Sequence, residues 1–252
     1  SIGDLNDRIA EKLETLEIES VNVAERLEKE LKRDYHIITA KKRLRQIARD
    51  FVTHYSKAWE TGKAMLVCID KITCVRMYNL ITEFWDKRIA ELESELNTTT
   101  DDQEEVYRRR QILWMRETRM AVVVSEEQGE VDKFRQWDLD ITPHRRLIKD
   151  GMDLPEAMRI KPQFKNMQRM DVDEAFKEEA HPFRIAIVCA MWLTGFDVPS
   201  LSTLYLDKPL KAHTLMQAIA RANRVNEGKN NGLIVDYCGI LKNLRKALAT
   251  FA

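Results

Sequence analysis

Gln217, Arg221 and Arg224 are spaced four and three residues apart, so in a helix all three project from one face. Two guanidinium groups and an amide converging on one point suit a phosphate, in particular the outer phosphate of a nucleotide held by another surface. An arginine pair alone would be an ordinary solvated helix face. What favours the phosphate is the segment upstream, where Thr194-Gly195 follows the apolar stretch 184–190. A hydroxyl and a backbone without a Cβ at the end of a parallel strand stand at the carboxyl edge of the sheet, where open α/β sheets bind ligands.

Other chemistries lack their residues. Gly62-Lys63-Ala64 has neither the upstream Gly of a phosphate-binding P-loop nor the Ser or Thr that would hold magnesium. Asp173-Glu174-Ala175-Phe176 superficially matches the acidic magnesium box of helicases, but it opens a charged helical stretch rather than ending a buried strand, and reads as a helix start. A metal-dependent nuclease needs paired carboxylates with a lysine, and Glu30-Leu31-Lys32 offers that only within an amphipathic helix. The five histidines (His36, His54, His144, His181, His213) have no metal-ligand spacing, and no Ser or Cys nucleophile motif is present. No metal site is expected, and the chain alone is expected to be inactive.

The elements that must position these residues follow from patterning. With 8 Gly and 6 Pro in 252 residues, helices should dominate. The 41 basic and 41 acidic side chains cancel, which argues against a basic nucleic-acid arm or an acidic tail but leaves room for a local basic patch. Ala64-Met65-Leu66-Val67-Cys68-Ile69 is a continuous apolar run feeding into a helical pattern, the sign of a buried strand in a parallel sheet. The sign recurs at 121–124, 184–190, 203–206 and 233–235, predicting a doubly wound α/β domain. Residues 1–60 read as a helical lead-in, with Leu44, Ile47, Ala48, Phe51, Val52 and Tyr55 on one face. The domain proper, 61–252, carries two long helical insertions at about 86–119 and 126–182, with a turn at Asn97–Asp102. The basic run Lys41-Lys42-Arg43-Leu44-Arg45 fits a solvated helix face, with a phosphate contact as the alternative. Cys68, Cys74, Cys189 and Cys238 form no C-x-x-C pair and read as reduced thiols. The longest apolar run, 185–193, is too short for a membrane span, and the expectation is a soluble cytoplasmic chain.

The run LTGFDVPSLSTLYLDKPLKAHTLMQAIARANRVNEGKNNGLIVDY closely resembles the second RecA-like lobe of the motor (restriction) subunit of type I restriction enzymes, which are superfamily-two translocases. LTGFDVP matches helicase motif V and QAIARANR motif VI; KAMLVCIDKITCVRMY looks like motif IV, and AVVVSEEQ with DITPHRR is also similar. The likeness covers about residues 40–252. Generic helicases carry Gly where Ala220 and Asn223 stand, which leaves open which arginine is the finger.

The resemblance implies a RecA-like fold and a place in an ATP-dependent site-specific deoxyribonuclease that moves along double-stranded DNA. It implies that Arg221 and Arg224 reach the γ-phosphate, that Gln217 positions nucleotide or water, and that Gly195 and Asp197 lie at the nucleotide cleft. It also implies that Thr194, with Lys71 after the motif IV strand, touches a DNA phosphate. ATP and Mg²⁺ would be bound in the parent protein, with the Mg²⁺ ligands on an absent first lobe. Partners would be that lobe, a nuclease domain of the same polypeptide, and methyltransferase and specificity subunits, with no membrane. Two alternatives stay open: a lobe of another superfamily-two helicase, and a nucleotide-independent scaffold whose long helices bind partner subunits.

Overall fold

A strand buried on both faces is mostly apolar, and Lys63–Cys68 (β1) is buried at all six positions in the computed structural model, with Lys63 at its start donating its ammonium to the Ala175 carbonyl oxygen. The structure describes residues 1–16, 19–193, 196–222, 232–242 and 245. Among these residues, four helices precede β1: α1 (Ile2–Thr15), α2 (Asn22–Glu30), α3 (Lys32–Ile38) and α4 (Lys41–Lys57). After it come the long helix α5 (Lys71–Leu96), α6 (Asp102–Glu117), which folds back on α5, and β2 (Arg119–Val123). Next are α7 (Glu130–Arg135), α8 (Thr142–Asp150), the short β3 (Met152–Asp153), α9 (Glu156–Arg159), a 3₁₀ turn (Pro162–Met167), β4 (Arg169–Met170) and α10 (Val172–Lys177). The chain then runs through β5 (Phe183–Val188), β6 (Leu201–Asp207), α11 (Ala212–Ala222) and β7 (Leu233–Asp236).

The five expected strands form one sheet in the order β2-β5-β1-β6-β7, with every neighbouring pair parallel. From central β1 the chain crosses to the edge strand β2, returns inward to β5 beside β1, and then crosses to β6 and β7 on the other side. The switch of direction therefore falls beside β1, at the carboxyl ends of β5, β1 and β6. Register aligns those ends: Val67 pairs with Val188 on one side and Leu206 on the other, and Cys68 pairs with Asp207. Entry into β1 depends on Gly62, whose φ is +131° and where a Cβ would lie 2.5 Å from the Ser200 carbonyl oxygen.

The lead-in helices are not a separate layer: one hydrophobic cluster runs from Leu5 to Ile240. The expected face of α4 is buried, and Phe51 and Tyr55 are fully enclosed. Burying such side chains contributes about 1.5–3 kcal/mol each. The first expected insertion is an extension of existing helix, since α5 passes through Asp86 without a break to Leu96, before a turn whose Asp101 caps α6. The second contains α7 to α10 and a two-residue hairpin, β3–β4, over a satellite core of Leu154, Met158 and Phe164. Asp173 and Glu174 lie in the first turn of α10, a helix start. The basic run is divided: Arg43 meets Asp207 and Arg45 meets Glu83, while Lys41 and Lys42 are exposed on the helix face. All four cysteines are free and buried. No helix among the described residues is long and apolar enough to cross a membrane.

Candidate functional site at the carboxyl edge of the sheet

β1 and β6 are each followed or ended by a buried carboxylate at the edge, Asp70 and Asp207. After β1, Asp70 caps α5 by accepting the Thr73 N–H at 2.6 Å, and it accepts the Tyr35 hydroxyl at 2.8 Å. Burial pushes the Asp70 carboxyl up from its usual range, against the amide and hydroxyl that stabilise its charge. After β6, Asp207 is 2% exposed and takes a two-pronged contact from Arg43, at 2.7 and 3.2 Å. Burial raises the Asp207 carboxyl too, opposed by the guanidinium; Arg43, favoured as the cation by that carboxylate, stays protonated. Next to it, Lys208 donates to the Cys189 carbonyl oxygen at 2.6 Å, tying the end of β6 to the end of β5.

Lys71 has a partner other than the DNA phosphate expected of it. Its side chain is fully enclosed, donating to the Ser125 carbonyl oxygen at 2.6 Å and to Glu127 at 2.7 Å. Burial works against the Glu127 charge, but Lys71 and the Val21 N–H outweigh it and hold the carboxyl below its usual range. A lysine directly after a strand reads as a surface cation, yet the crossover after β2 closes over this one.

α11 packs Leu215 and Ala218 against the sheet and leaves Gln217 exposed on the opposite side. Gln217 opens on a cleft of ≈ 390 Å³, together with Lys208 and His213, and Leu13 and Glu14 of α1 form the facing wall. The backbone of Arg221 continues the same helix one turn further on, in the expected register; its side chain lies outside the described residues. Arg224, Thr194 and Gly195 also lie outside them. Asp197 is exposed, beside Phe196, which stacks on Trp192 with ring centroids 4.3 Å apart. Of the expected site residues, then, Gln217, the Arg221 backbone and Asp197 can be placed on the β5, β6 and α11 side of the edge. Lys71 lies inside it. Among the described residues no group of three His, Cys, Asp or Glu side chains could hold a metal ion.

The N-terminal helices cover this edge. Tyr35 and Arg43 reach Asp70 and Asp207, Asn6 donates to the Cys238 carbonyl oxygen at 2.7 Å, and Glu19 inserts between the ends of β2 and β5. Sequence reasoning missed Glu19, Arg43–Asp207 and Lys208 as parts of the edge. Asp207 had a legible signal, a carboxylate ending an apolar run; Glu19 had none.

The sequence pattern of one family, type I restriction enzyme subunit R domain 3, matches residues 60–239. The chain is 31% identical over 216 residues to the type I restriction enzyme HindI endonuclease subunit of Haemophilus influenzae, covering 84% of this chain and 16% of that protein. It is 30% identical over 251 residues to a Methanocaldococcus jannaschii protein provisionally named the MjaIXP endonuclease subunit of a type I restriction enzyme, covering 99% of this chain and 18% of that one. A shorter stretch of 69 residues is 49% identical to the type I restriction enzyme SsaAORF53P endonuclease subunit of Staphylococcus saprophyticus, covering 27% of this chain and 7% of that protein. The chain thus spans less than a fifth of the length of these curated relatives.

Proposed function

The chain belongs to the type I restriction enzyme subunit R domain 3 family, and from that membership we propose that it is the second RecA-like lobe of an ATP-driven motor that moves along double-stranded DNA. The observation that carries the reading is the placement of α11. It holds Gln217 over the cleft at the carboxyl edge, beside Lys208, and carries Arg221 one turn further in the same register. That helix face suits the outer phosphate of an ATP held by a facing first lobe, because arginines supplied across an interface neutralise charge that develops during phosphoryl transfer.

In this reading Arg221 and Arg224 reach the γ-phosphate and Gln217 positions the nucleotide or the attacking water. Gly195 and Asp197 border the nucleotide cleft, and Thr194 contacts a DNA phosphate. ATP and Mg²⁺ act in the parent protein, with the Mg²⁺ ligands on the first lobe, so this chain by itself does not hydrolyse ATP. The parent is read as an ATP-dependent type I site-specific deoxyribonuclease of the cytoplasm. Its partners are the first lobe and nuclease domain of the same polypeptide and the methyltransferase and specificity subunits.

A second reading, a scaffold for partner subunits, draws support from α6, where Val106 and Leu113 are 58% and 50% exposed two helical turns apart. DNA-stimulated ATP hydrolysis by the full parent polypeptide separates the two. Arg221→Ala or Arg224→Ala should lower the rate by about a hundredfold or more while DNA binding persists. Normal hydrolysis in both variants would leave the scaffold standing.

A further inference from the structure

Glu19 lies in the turn between α1 and α2, yet its carboxylate is bound by none of its sequence neighbours. One oxygen accepts the Ser125 N–H at 2.7 Å, at the end of β2. The other accepts the Met191 N–H at 3.0 Å, the Ala190 N–H at 3.2 Å and the Cys189 thiol at 3.2 Å, at the end of β5. Three backbone amides and a thiol, from two adjacent parallel strands, thus converge on one oxyanion.

Two buried lysines brace this cradle from behind. Lys71 holds the carbonyl oxygen of Ser125 and Lys208 that of Cys189, each at 2.6 Å. Each ammonium therefore grips a residue that also donates to Glu19, and orients that donor while adding positive potential. Converging main-chain N–H groups with nearby cations make an anion site that is indifferent to whether the oxygens belong to a carboxylate or a phosphate. The location is the carboxyl edge of the sheet, where open α/β sheets bind ligands, between the edge strand β2 and β5, the neighbour of central β1. Glu19 reaches it from a covering segment, which is fastened separately, through Ser20 and Val21, to Glu127.

We propose that the amides of Ser125, Ala190 and Met191 form a phosphate-binding seat, and that Glu19 is its built-in occupant, displaced when a phosphate group takes the seat. The phosphate belongs either to a DNA backbone or to a nucleotide. The inference goes beyond the motor reading, since it rests on the cradle and makes no use of Arg221 or Arg224. A resident carboxylate that fills the seat in about ninety to ninety-nine of a hundred molecules lowers apparent phosphate affinity about ten- to hundredfold, so removing it should restore that factor.

The test compares the full parent polypeptide with Glu19→Gln and Glu19→Ala variants. Binding of inorganic phosphate, of ATP and of a DNA duplex without a recognition site is measured for each. Alkylation of Cys189 supplies a readout at the seat itself: it should accelerate in Glu19→Ala and be slowed again by whichever probe occupies the amides. Protection by the duplex assigns the seat to DNA, protection by ATP to nucleotide, and at least tenfold tighter binding of that same probe is expected. Glu19→Gln keeps the shape and one acceptor oxygen, so it carries the binding comparison if the alanine variant fails to fold. If neither variant binds any probe more tightly and none protects Cys189, Glu19 is only a structural clasp and the proposal is overturned. Because the readout is binding and not hydrolysis, that failure leaves the motor reading intact, and normal ATPase in the arginine variants leaves this one intact.

Discussion

Arg43→Ala should be among the most damaging substitutions outside the apolar core, and its cost should depend on pH. The guanidinium makes four contacts: Asp207 at 2.7 and 3.2 Å, the Ile38 carbonyl oxygen at 2.7 Å and the Tyr237 carbonyl oxygen at 3.2 Å. It joins the start of α4 to the ends of β6 and β7. Without it, Asp207, only 2% exposed, keeps among the described residues a single weak side-chain donor, the Cys238 thiol at 3.6 Å. The stranded carboxylate has an escape, which is to take up a proton. From an ordinary pKa near 3.9, protonation at pH 7 costs about 4 kcal/mol, at about 1.4 kcal/mol per unit, and this caps the charge-related loss. Breaking buried pairs typically costs about 3–5 kcal/mol. The Arg43 side chain is 27% exposed, so water partly softens the loss, and about 3 kcal/mol is expected at pH 7. At pH 5 the same escape costs only about 1.5 kcal/mol, so the deficit should shrink to about 1–1.5 kcal/mol. Urea unfolding followed by tryptophan fluorescence at both pH values measures it, provided the m-values agree. Asp207→Asn should be milder, at about 1–2 kcal/mol, and the double variant should cost less than the sum. A deficit below about 1 kcal/mol at pH 7, or one unchanged at pH 5, refutes the reasoning.

Two further outcomes can be checked on stability alone. Gly62→Ala combines a left-handed backbone with a Cβ 2.5 Å from the Ser200 carbonyl oxygen, which already accepts the Lys63 N–H at 2.9 Å. It should cost about 2–4 kcal/mol, seen in calorimetry as a Tm lowered by about 5–15 °C. His181 is fully buried, its Nδ1 accepts the Phe183 N–H at 3.0 Å, and burial together with Lys63, Arg184 and Arg119 pushes its pKa down to about 4. Between pH 6.5 and about 4 the unfolded chain binds the proton that the folded one refuses. The stability from the neutral ring is therefore complete above pH 6.5 and lost on acidification, up to about 3 kcal/mol. Urea midpoints from pH 7.5 to 4.5 should fall more steeply in the wild type than in His181→Asn, and parallel slopes would disprove the assignment.

Much of the scaffold was legible because burial imposes local patterns. A strand covered on both faces is mostly apolar, so the run at 64–69 announced β1 to within a residue, though not the buried Lys63 that opens it. The spacing of Leu44, Ile47 and Phe51 announced the inner face of α4 in the same way. The helical register of Gln217 and Arg221 was likewise a property of the chain segment itself. The β3–β4 hairpin was not legible, because two-residue strands carry no period. Charged residues were the least legible of all. Lys71 was expected, by resemblance, to reach a DNA phosphate, and Glu19 drew no expectation at all. Sheet order brings Ser125 and Cys189 together at the ends of β2 and β5, and only then do Lys71 and Glu19 find partners from 54 to 172 residues away. Periodicity is set by which face of one element meets the core, and a sequence records it residue by residue. The partner of a buried charge is set by which elements end side by side, and that was decided only when the sheet assembled.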